Sequence, residues 1–312
     1  MNPLALLVSL AFGFAAGAAS LPPTGPHLVR HVVLKVQPAQ SGRPIHIEVW
    51  LPAGRLGGRF PLLLFSPGFG GTPVDYSSQL EDLASHGYVV AGLDHAADLL
   101  DAFEPRAALW AQDLLAAKQM LLRSPLRGRI DANRIGAFGH SHGGRSAAAA
   151  CLLDSAIRAC LNQDGRLDDI RLLRPYWPIP GRQFAGTFAL LDWFDPGLDD
   201  GEFRSMKTTR ERYALGRLAP SAAALEAYRA PHGGSYRITL LSSGMQHTAF
   251  TDTPWSQATS DSERARYAGY LRQIRAATLA FFNRAFQKNA PSTSCGGTED
   301  GVLTQCFAPT LH

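Results

Sequence analysis

The segment that most restricts the possible folds is residues 134–151, RIGAFGHSHGGRSAAAAC, in which small residues surround Ser141. An apolar run typical of a buried strand precedes this serine, and an alanine-rich run typical of a helix follows it. Glycines stand two residues before and two residues after it, at Gly139 and Gly143. Because glycine lacks a Cβ atom, this G-x-S-x-G spacing lets a strand and a helix cross closely. We therefore predict a strand, a sharp turn and a helix, with the serine hydroxyl at the carboxyl edge of a sheet.

The rest of the chain alternates between short strand-like runs and helical runs, which is typical of a mostly parallel sheet with helices on both faces. Residues 28–36 and 45–52 lie on either side of a Gly/Pro turn and are rich in β-branched residues, which predicts an antiparallel pair. The other predicted strands are 61–66, 88–94, 134–140, 157–163, 186–192 and 236–243. The predicted helices are 75–86, 104–124, 142–154 and 261–287, the last opening with a capping box from Ser260 to Glu263. Residues 165–235 are expected to form an irregular insertion that caps the sheet before its last core strand.

The composition limits the classes of partner. The 312 residues are 46% hydrophobic and carry a formal net charge of +4. This apolar content is sufficient for the core of one large domain or of two small ones. Lysine and arginine are scattered rather than clustered, so the charge pattern favours neither nucleic-acid binding nor a polybasic membrane patch.

The N-terminus differs from the rest of the chain. Residues 4–19, LALLVSLAFGFAAGAA, carry no charge and end in small residues. This pattern is typical of a signal peptide, and the run is shorter than the roughly 20 residues of a spanning helix, so a retained anchor is the weaker alternative. We expect residues 1–20 to be a signal peptide, 21–290 the catalytic domain and 291–312 a C-terminal tail. The expected location is secreted or periplasmic.

Export permits disulfide bonds, and the chain contains four cysteines. Cys295 and Cys306 lie in a Gly/Ser/Thr-rich tail, where we expect a short loop-closing disulfide. Cys151 and Cys160 flank a predicted helix–strand junction. Either a second disulfide or two buried thiols is consistent with their positions.

The turn at Ser141 allows three interpretations: a nucleophile, a metal site built from His140 and His142, or a small-residue turn without chemistry. No further ligand set with zinc spacing accompanies the two histidines, so we expect no metal. The strand-like run before the turn and the small-residue helix after it favour the nucleophile. His140 is then expected to be a packing or hydrogen-bonding neighbour.

A serine hydroxyl needs a histidine to take its proton and a carboxylate to hold that histidine. His247 follows the last predicted core strand and is the expected base. Asp164 follows the strand after the helix at Ser141, and Asp192 follows the next strand. The spacing leaves both aspartates open as the acid.

The developing oxyanion needs two backbone N–H donors. One is expected from His142, the residue after the nucleophile. The other is expected from Phe69, in the Gly-rich loop after strand 61–66, because the flanking glycines let the backbone approach a substrate.

Residues 60–98, FPLLLFSPGFGGTPVDYSSQLEDLASHGYVVAGLDHAAD, resemble the corresponding block of the secreted platelet-activating-factor acetylhydrolase family. GHSHGG (139–144) and GMQHTAFTD (244–252) are similar to that family's G-H-S-x-G-G and G-x-x-H-x-x-F-x-D, in the same order. The resemblance implies an α/β-hydrolase fold and a serine esterase without cofactors. The implied substrates are short-chain acyl esters, including the sn-2 acetyl group of phospholipids like platelet-activating factor.

The resemblance also implies that Asp164, in ACLNQDG, is the acid. Gln163 departs from the family pattern, since an apolar residue is common there. Pro67 stands where a histidine is often found, and His142 stands where an apolar residue is common.

Two other functions fit the same residues. One is a general carboxylesterase or lipase, and the other, from a different class, is a non-catalytic binding protein on a hydrolase scaffold. The expected partner is a small-molecule or lipid ester, met in solution or by peripheral contact with a lipid surface, and not a nucleic acid.

Overall fold

The computed structural model describes residues 20–36, 45–54, 57–95, 103–165, 167, 184–197, 235–286, 297–299 and 301–306. Its strands are β1 Val29–Val36, β2 Ile45–Pro52, β3 Phe60–Ser66, β4 Val89–Asp94, β5 Ile130–His140, β6 Ile157–Gln163, β7 Thr187–Phe194, β8 Ser235–Leu241, β9 Gly297–Glu299 and β10 Val302–Cys306. Its α-helices are α1 Ser77–Ser85, α2 Phe103–Leu121, α3 His142–Leu153, α4 Thr253–Ser256 and α5 Asp261–Phe286, and short 3₁₀ helices lie at Pro73–Tyr76, Pro125–Arg129 and His247–Phe250.

These strands form one sheet in the order β1-β2-β4-β3-β5-β6-β7-β8-β10-β9. Neighbours from β4 to β8 run parallel, and the pairs outside this centre are antiparallel. The predicted antiparallel pair β1–β2 is present, with Val29 opposite Pro52. The mostly parallel sheet with helices on both faces, and with it the α/β-hydrolase fold, is therefore confirmed.

The apolar run of β3 shows why a parallel strand is hydrophobic throughout. Leu62 and Leu64 pack in the core on the side of α2 and α3, whereas Leu63 and Phe65 pack on the side of α1 and α5. Successive side chains of a strand point to opposite faces, so a sheet covered on both sides needs apolar residues at every position. The two helix layers hold the parallel strands rigidly, and the carboxyl ends of these strands carry the site.

The predicted capping box at the start of α5 is present in a shifted form. The Glu263 N–H donates to Ser260 Oγ at 3.2 Å. The Glu263 carboxylate bonds one residue further back than predicted, where it accepts from the N–H and hydroxyl of Thr259. The cap therefore satisfies helix-end donors on both sides of Ser260.

Two parts of the chain differ from the sequence-based expectations. Within the range 165–235, expected to be an insertion, the predicted strand 186–192 is present as β7, which lies between β6 and β8 in the sheet. In the predicted C-terminal tail, β9 and β10 form a hairpin that extends the sheet beyond β8. Strands as short as β9 and β10 carry too little periodicity to be recognised in a sequence.

Several other expectations fall outside the described residues. They include the signal peptide, apart from Ser20, and Cys295, so the expected disulfide to Cys306 is not described. Cys151 and Cys160 are buried free thiols. Within the described part of the chain, no helix has the length and apolar character needed to cross a bilayer.

Residues 20–27 form a strap that ties α1 to α5. The Thr24 N–H donates to Asp82 Oδ1 at 2.7 Å, and Asp82 forms a buried ion pair with Arg275 of α5. The Gly25 N–H donates to Ser85 Oγ at 2.9 Å. The strap therefore anchors both helices that cover one face of the sheet.

The crossing of β5 and α3 is as close as the glycine spacing predicts. A Cβ atom added at Gly143 would lie 2.1 Å from the carbonyl oxygen of Ser66 and 2.2 Å from that of Pro67. A Cβ atom added at Gly139 would lie 2.4 Å from the Gly143 carbonyl oxygen. All of these neighbours are backbone atoms, so a side chain at either position would force two main-chain segments apart.

Replacement of Gly143 by Ala should lower the free energy of unfolding by about 3 kcal/mol, because overpacking against backbone cannot be relieved by a rotamer change. Gly269→Ala is the matched control, since a Cβ atom there, within α5, meets nothing within 4 Å. It should raise the free energy of unfolding by about 0.5–1 kcal/mol. Urea unfolding followed by circular dichroism measures both, and equal effects would contradict the close crossing.

Candidate active site

Ser141 occupies the turn between β5 and α3 in a strained backbone conformation, with φ 55° and ψ −121°. Among the described residues, Ser141 and Asp164 are the non-glycine residues with positive φ. The Ser141 N–H donates to the carbonyl oxygen of Gln163 at 2.8 Å. The turn is therefore held by its neighbour strand as well as by the glycine crossing, and such strain persists only where the surroundings enforce it.

The structure brings Ser141, His247 and Asp164 into one hydrogen-bonded chain, although they lie far apart in the sequence. His247 Nε2 lies 2.9 Å from Ser141 Oγ, and His247 Nδ1 lies 2.5 Å from Asp164 Oδ2. With the carboxylate as acceptor, Nδ1 carries the proton and Nε2 accepts the serine hydroxyl proton. This arrangement makes Ser141 a nucleophile with its base in contact.

A tryptophan that the sequence analysis missed also touches the acid. Trp193 Nε1 donates to Asp164 Oδ2 at 3.0 Å. The same carboxylate oxygen therefore faces both the indole N–H and the His247 ring. A donor of this kind stabilises the ionised carboxylate, the form that orients the histidine.

Asp192, the alternative acid, is engaged elsewhere. Arg237 of β8 donates from Nε to Asp192 Oδ2 at 2.6 Å, and the two side chains form a buried ion pair. Burial raises the pKa of the Asp192 carboxyl, and the Arg237 guanidinium opposes that shift. Asp192 lies inside β7, whereas Asp164 lies just past the end of β6, so the structure places Asp164 and not Asp192 against His247.

Gln163, which departs from the family pattern, belongs to a buried polar cluster under the acid. Its amide nitrogen donates to Gln79 Oε1 at 2.8 Å and to Thr278 Oγ1 at 2.9 Å. The Gln79 amide donates back to Gln163 Oε1 at 3.2 Å. The polar side chain is thus paired with α1 and α5, and the strand that carries Asp164 is bonded to both helices.

Two buried aspartates position the loop that carries His247. Asp195 Oδ2 accepts from the Gly244 N–H at 2.6 Å, and Gly244 has φ 72°. Asp252 Oδ2 accepts from the Ser78 N–H at 2.8 Å. The His247 loop is therefore bonded on one side to the end of β7 and on the other side to α1.

The loop after β3 lies against the nucleophile. A Cβ atom added at Gly68 would lie 3.5 Å from Ser141 Cβ, and the next residue, Phe69, is 60% exposed. His142 is the first residue of α3, where N–H groups point out of a helix N-terminus. Gly68 and His142 thus adjoin Ser141. The role of Phe69 and His142 as oxyanion donors stays a prediction.

His140 connects the loop after β3 to the His247 loop. The Gly68 N–H donates to Tyr76 Oη, and Tyr76 Oη lies 2.9 Å from His140 Nδ1. Burial lowers the pKa of His140 to about 3, and His247 adds to this shift. The His140 ring stacks on Phe250 with centroids 5.0 Å apart. A neutral His140 thus shares a hydrogen bond with the Tyr76 hydroxyl at Nδ1, and it is a hydrogen-bonding neighbour, as predicted.

Within the described residues, the group able to offer metal ligands is His140, Asp164 and His247, whose ligand atoms lie within 4.8 Å of one another. This set differs from the pair His140 and His142 considered from the sequence. Both ring nitrogens of His247 already contact Ser141 and Asp164. The proximity of these atoms thus follows from the Ser–His–Asp chain.

The pKa of Asp252 predicts a pH-dependent contribution to stability. Burial raises that pKa to about 6, against hydrogen bonds from Ser78. The unfolded value is about 3.9, so the folded state binds this proton more tightly. The resulting stabilisation is full below about pH 4 and is lost as the pH rises through 6.

Asp252→Asn keeps an acceptor for the Ser78 N–H but cannot ionise. Relative to wild type, the variant should gain about 2 kcal/mol in unfolding free energy between pH 4.5 and pH 7.5. Urea unfolding at the two pH values measures the difference. A difference that does not change with pH would contradict the raised pKa.

Comparisons with known proteins agree with this geometry. A family model described as PET hydrolase-like matches residues 9–165, just over half of the chain. A probable 1-alkyl-2-acetylglycerophosphocholine esterase from Arthroderma benhamiae is 32% identical over 123 residues, which are 34% of this chain and 32% of that protein. A bis(hydroxyethyl) terephthalate hydrolase from Streptomyces coelicolor is 32% identical over 114 residues, 36% of this chain and 35% of that protein.

The matches thus span about a third of the length of each curated relative. A ferulic acid esterase structure from Streptomyces cinnamoneus superposes with a TM-score of 0.62 at 19% identity, covering 94% of this chain and 98% of that one. That likeness shows the shared fold. The family is broader than the platelet-activating-factor acetylhydrolases expected from the sequence: the chain belongs to the PET hydrolase-like family of α/β-hydrolases.

Proposed function

We propose that this protein is a serine ester hydrolase that cleaves short-chain acyl esters through an acyl-enzyme. The observation that carries the proposal is the continuous chain from Ser141 Oγ through His247 to Asp164, with contacts of 2.9 and 2.5 Å. His247 is 42% exposed at its side chain and Asp164 only 2%. The base is therefore open to substrate and water, while the acid that orients it is buried, as in a Ser–His–Asp triad.

The mechanism has two halves. Ser141 Oγ attacks the ester carbonyl carbon while His247 Nε2 takes the hydroxyl proton. The tetrahedral oxyanion accepts hydrogen bonds from the N–H groups of Phe69 and His142. His247 then gives its proton to the departing alkoxide, which leaves as the alcohol, and the acyl group stays on Ser141.

Water completes the cycle through the same groups. His247 takes a proton from the water molecule as its oxygen attacks the acyl carbonyl. The second tetrahedral intermediate collapses, the acid product leaves and Ser141 recovers its proton from His247. Throughout, Asp164 stays ionised and stabilises the imidazolium that forms in each half. Every proton in this scheme moves between substrate, water and residues of this chain.

The acyl donor is proposed from the resemblance and the relatives. Short acyl esters, including the sn-2 acetyl of phospholipids like platelet-activating factor, are supported by the similarity to the Arthroderma benhamiae protein. Esters of aromatic acids are the second candidate, supported by the exposed aromatic side chain of Phe69 in the loop after β3 and by the similarity to the Streptomyces coelicolor protein. A general carboxylesterase or lipase would share all of this machinery.

We also propose that the enzyme is exported, since residues 4–19 have the pattern of a signal peptide. Contact with a lipid surface would then occur outside the cytoplasm. N-terminal sequencing of the protein recovered from an expressing culture checks this proposal. A chain that retains residues 1–19 after purification would contradict it.

A substrate panel tests the activity and its specificity. Wild-type protein should hydrolyse p-nitrophenyl acetate at least about tenfold faster than the palmitate ester, because a short-acyl pocket rejects extra methylenes. A 2-acetyl phospholipid and bis(hydroxyethyl) terephthalate, assayed in parallel, separate the two candidate classes. Ser141→Ala should reduce turnover by more than about 10⁴-fold while the circular dichroism spectrum stays unchanged.

An organophosphonate should label wild-type protein stoichiometrically at Ser141. A protein that is neither labelled nor active would be a binding scaffold. Wild-type rates in Ser141→Ala would overturn the assignment of the nucleophile.

The two aspartates can be separated by amide substitution. Asp164→Asn should lower kcat by about 10⁴-fold, because the amide no longer holds the reactive tautomer of His247. Asp192→Asn should leave kcat within about threefold but cost about 3 kcal/mol of stability, because Arg237 stays buried without its counter-charge. Steady-state kinetics and urea unfolding of both variants measure this, and the reverse pattern would make Asp192 the acid.

A further inference from the structure

A second Ser–His–Asp chain lies beneath the active site. Ser66 Oγ lies 2.8 Å from His95 Nε2, and His95 Nδ1 lies 3.0 Å from Asp113 Oδ2. Ser66 is the last residue of β3, His95 directly follows β4 and Asp113 belongs to α2. With Asp113 as acceptor, His95 carries a proton on Nδ1 and accepts the Ser66 hydroxyl at Nε2.

These three hydrogen-bonded side chains do not form a second catalytic site. Ser66 is 0% exposed, and His95 and Asp113 are buried as well. Among the described residues, Ser141 has a strained positive φ, whereas Ser66 does not. No ester can reach the Ser66 hydroxyl. The hydrogen bonds of Ser66, His95 and Asp113 therefore have a structural role in positioning neighbouring residues.

The first thing they act on is the loop that borders the nucleophile. Ser66 is followed at once by Pro67, Gly68 and Phe69. The carbonyl oxygens of Ser66 and Pro67 pack directly on Gly143 of α3, where an added Cβ atom would approach within 2.1 and 2.2 Å. The hydrogen bond between the Ser66 side chain and His95 thus restrains the residue whose carbonyl oxygen packs on the N-terminal turn of α3.

The second structural feature in contact with these side chains is His142, the residue after the nucleophile. The Trp110 ring stacks on His95 with centroids 4.2 Å apart and an interplanar angle of 4°. The same ring meets His142 edge to face, with centroids 4.7 Å apart and an angle of 85°. His142 stands where the resemblance leads us to expect an apolar residue, and its imidazole here lies against Trp110.

We propose that Ser66, His95, Asp113 and Trp110 are positioning residues that set the geometry of the oxyanion hole. This inference rests on the proposed function. The network adjoins both proposed donor residues: Ser66 begins the short segment that leads to Phe69, and Trp110 contacts the ring of His142. Oxyanion donors act by being fixed in place before charge develops, and buried hydrogen bonds in a low dielectric are suited to fixing them.

Ser66→Ala removes one hydroxyl from this network and leaves the Ser141 chain intact. We expect kcat to fall about 10- to 100-fold, somewhat less than for loss of a donor itself, with KM changed less than about twofold. Affinity for a trifluoromethyl ketone, which forms a tetrahedral oxyanion on Ser141, should fall by the same factor as kcat/KM. Asp113→Asn, of equal volume, should behave similarly. The double variant should lose little more than the larger single one, because the two groups act as a unit.

Ser85→Ala is the matched control. Ser85 is a buried serine whose hydroxyl bonds to the strap and to α1, on the opposite face of the sheet from Asp113. It should lower the melting temperature comparably and leave kcat and inhibitor affinity unchanged. Phosphonate labelling of each variant confirms that Ser141 stays reactive.

An active wild type whose Ser66→Ala and Asp113→Asn variants lose only melting temperature, as Ser85→Ala does, would overturn the positioning role alone. A rise in KM without a change in kcat or inhibitor affinity would overturn it as well. A wild type that is neither active nor labelled would overturn the proposed function, and the positioning role with it.

Discussion

The structure depends on one backbone contact, the crossing of β5 and α3 over the end of β3. Gly139, Gly143 and the carbonyl oxygen of Ser66 meet there without space for a single methyl group. The crossing holds Ser141 at φ 55°. A conformation this unfavourable is maintained only because packing on both faces of the sheet prevents its relaxation. Backbone packing alone thus places the Ser141 hydroxyl at the sheet edge, without help from any catalytic side chain.

Around that contact, the protein buries several polar and charged side chains that are hydrogen-bonded to one another. Three histidines of this polar network have different roles. His247 bonds to Ser141, His140 bonds to Tyr76, and His95 links Ser66 to Asp113. Buried polar groups are costly unless they are bonded, and bonded ones specify a single arrangement. The site is therefore rigid because of its polar core, while the apolar core keeps the sheet in place.

The sequence was sufficient for the fold class, for most of the elements and for two members of the Ser–His–Asp chain. The strand and helix around Ser141 have strong local patterns, and His247 is identified by its place after the last core strand. Spacing alone could not separate Asp164 and Asp192, because each comes after an apolar run in the sequence, and only the family resemblance favoured Asp164. Their contacts in the structure separate them, because Arg237 forms an ion pair with Asp192. No local sequence pattern predicts such a contact between strands. Trp193 and Asp195 were missed for the same reason, and β9 and β10 were missed because they are short.

What the sequence determined by itself was everything governed by near neighbours along the chain: alternation of apolar runs, the glycine spacing at the turn and the cap at the start of α5. What only the tertiary structure decided was which distant side chains meet. Ser141 meets His247 across a sequence separation of 106, and Asp164 meets His247 across a separation of 83. The physical reason is range. Backbone preferences act over a few residues, whereas hydrogen bonds and ion pairs between elements exist only after the sheet has brought the carboxyl ends of its strands together.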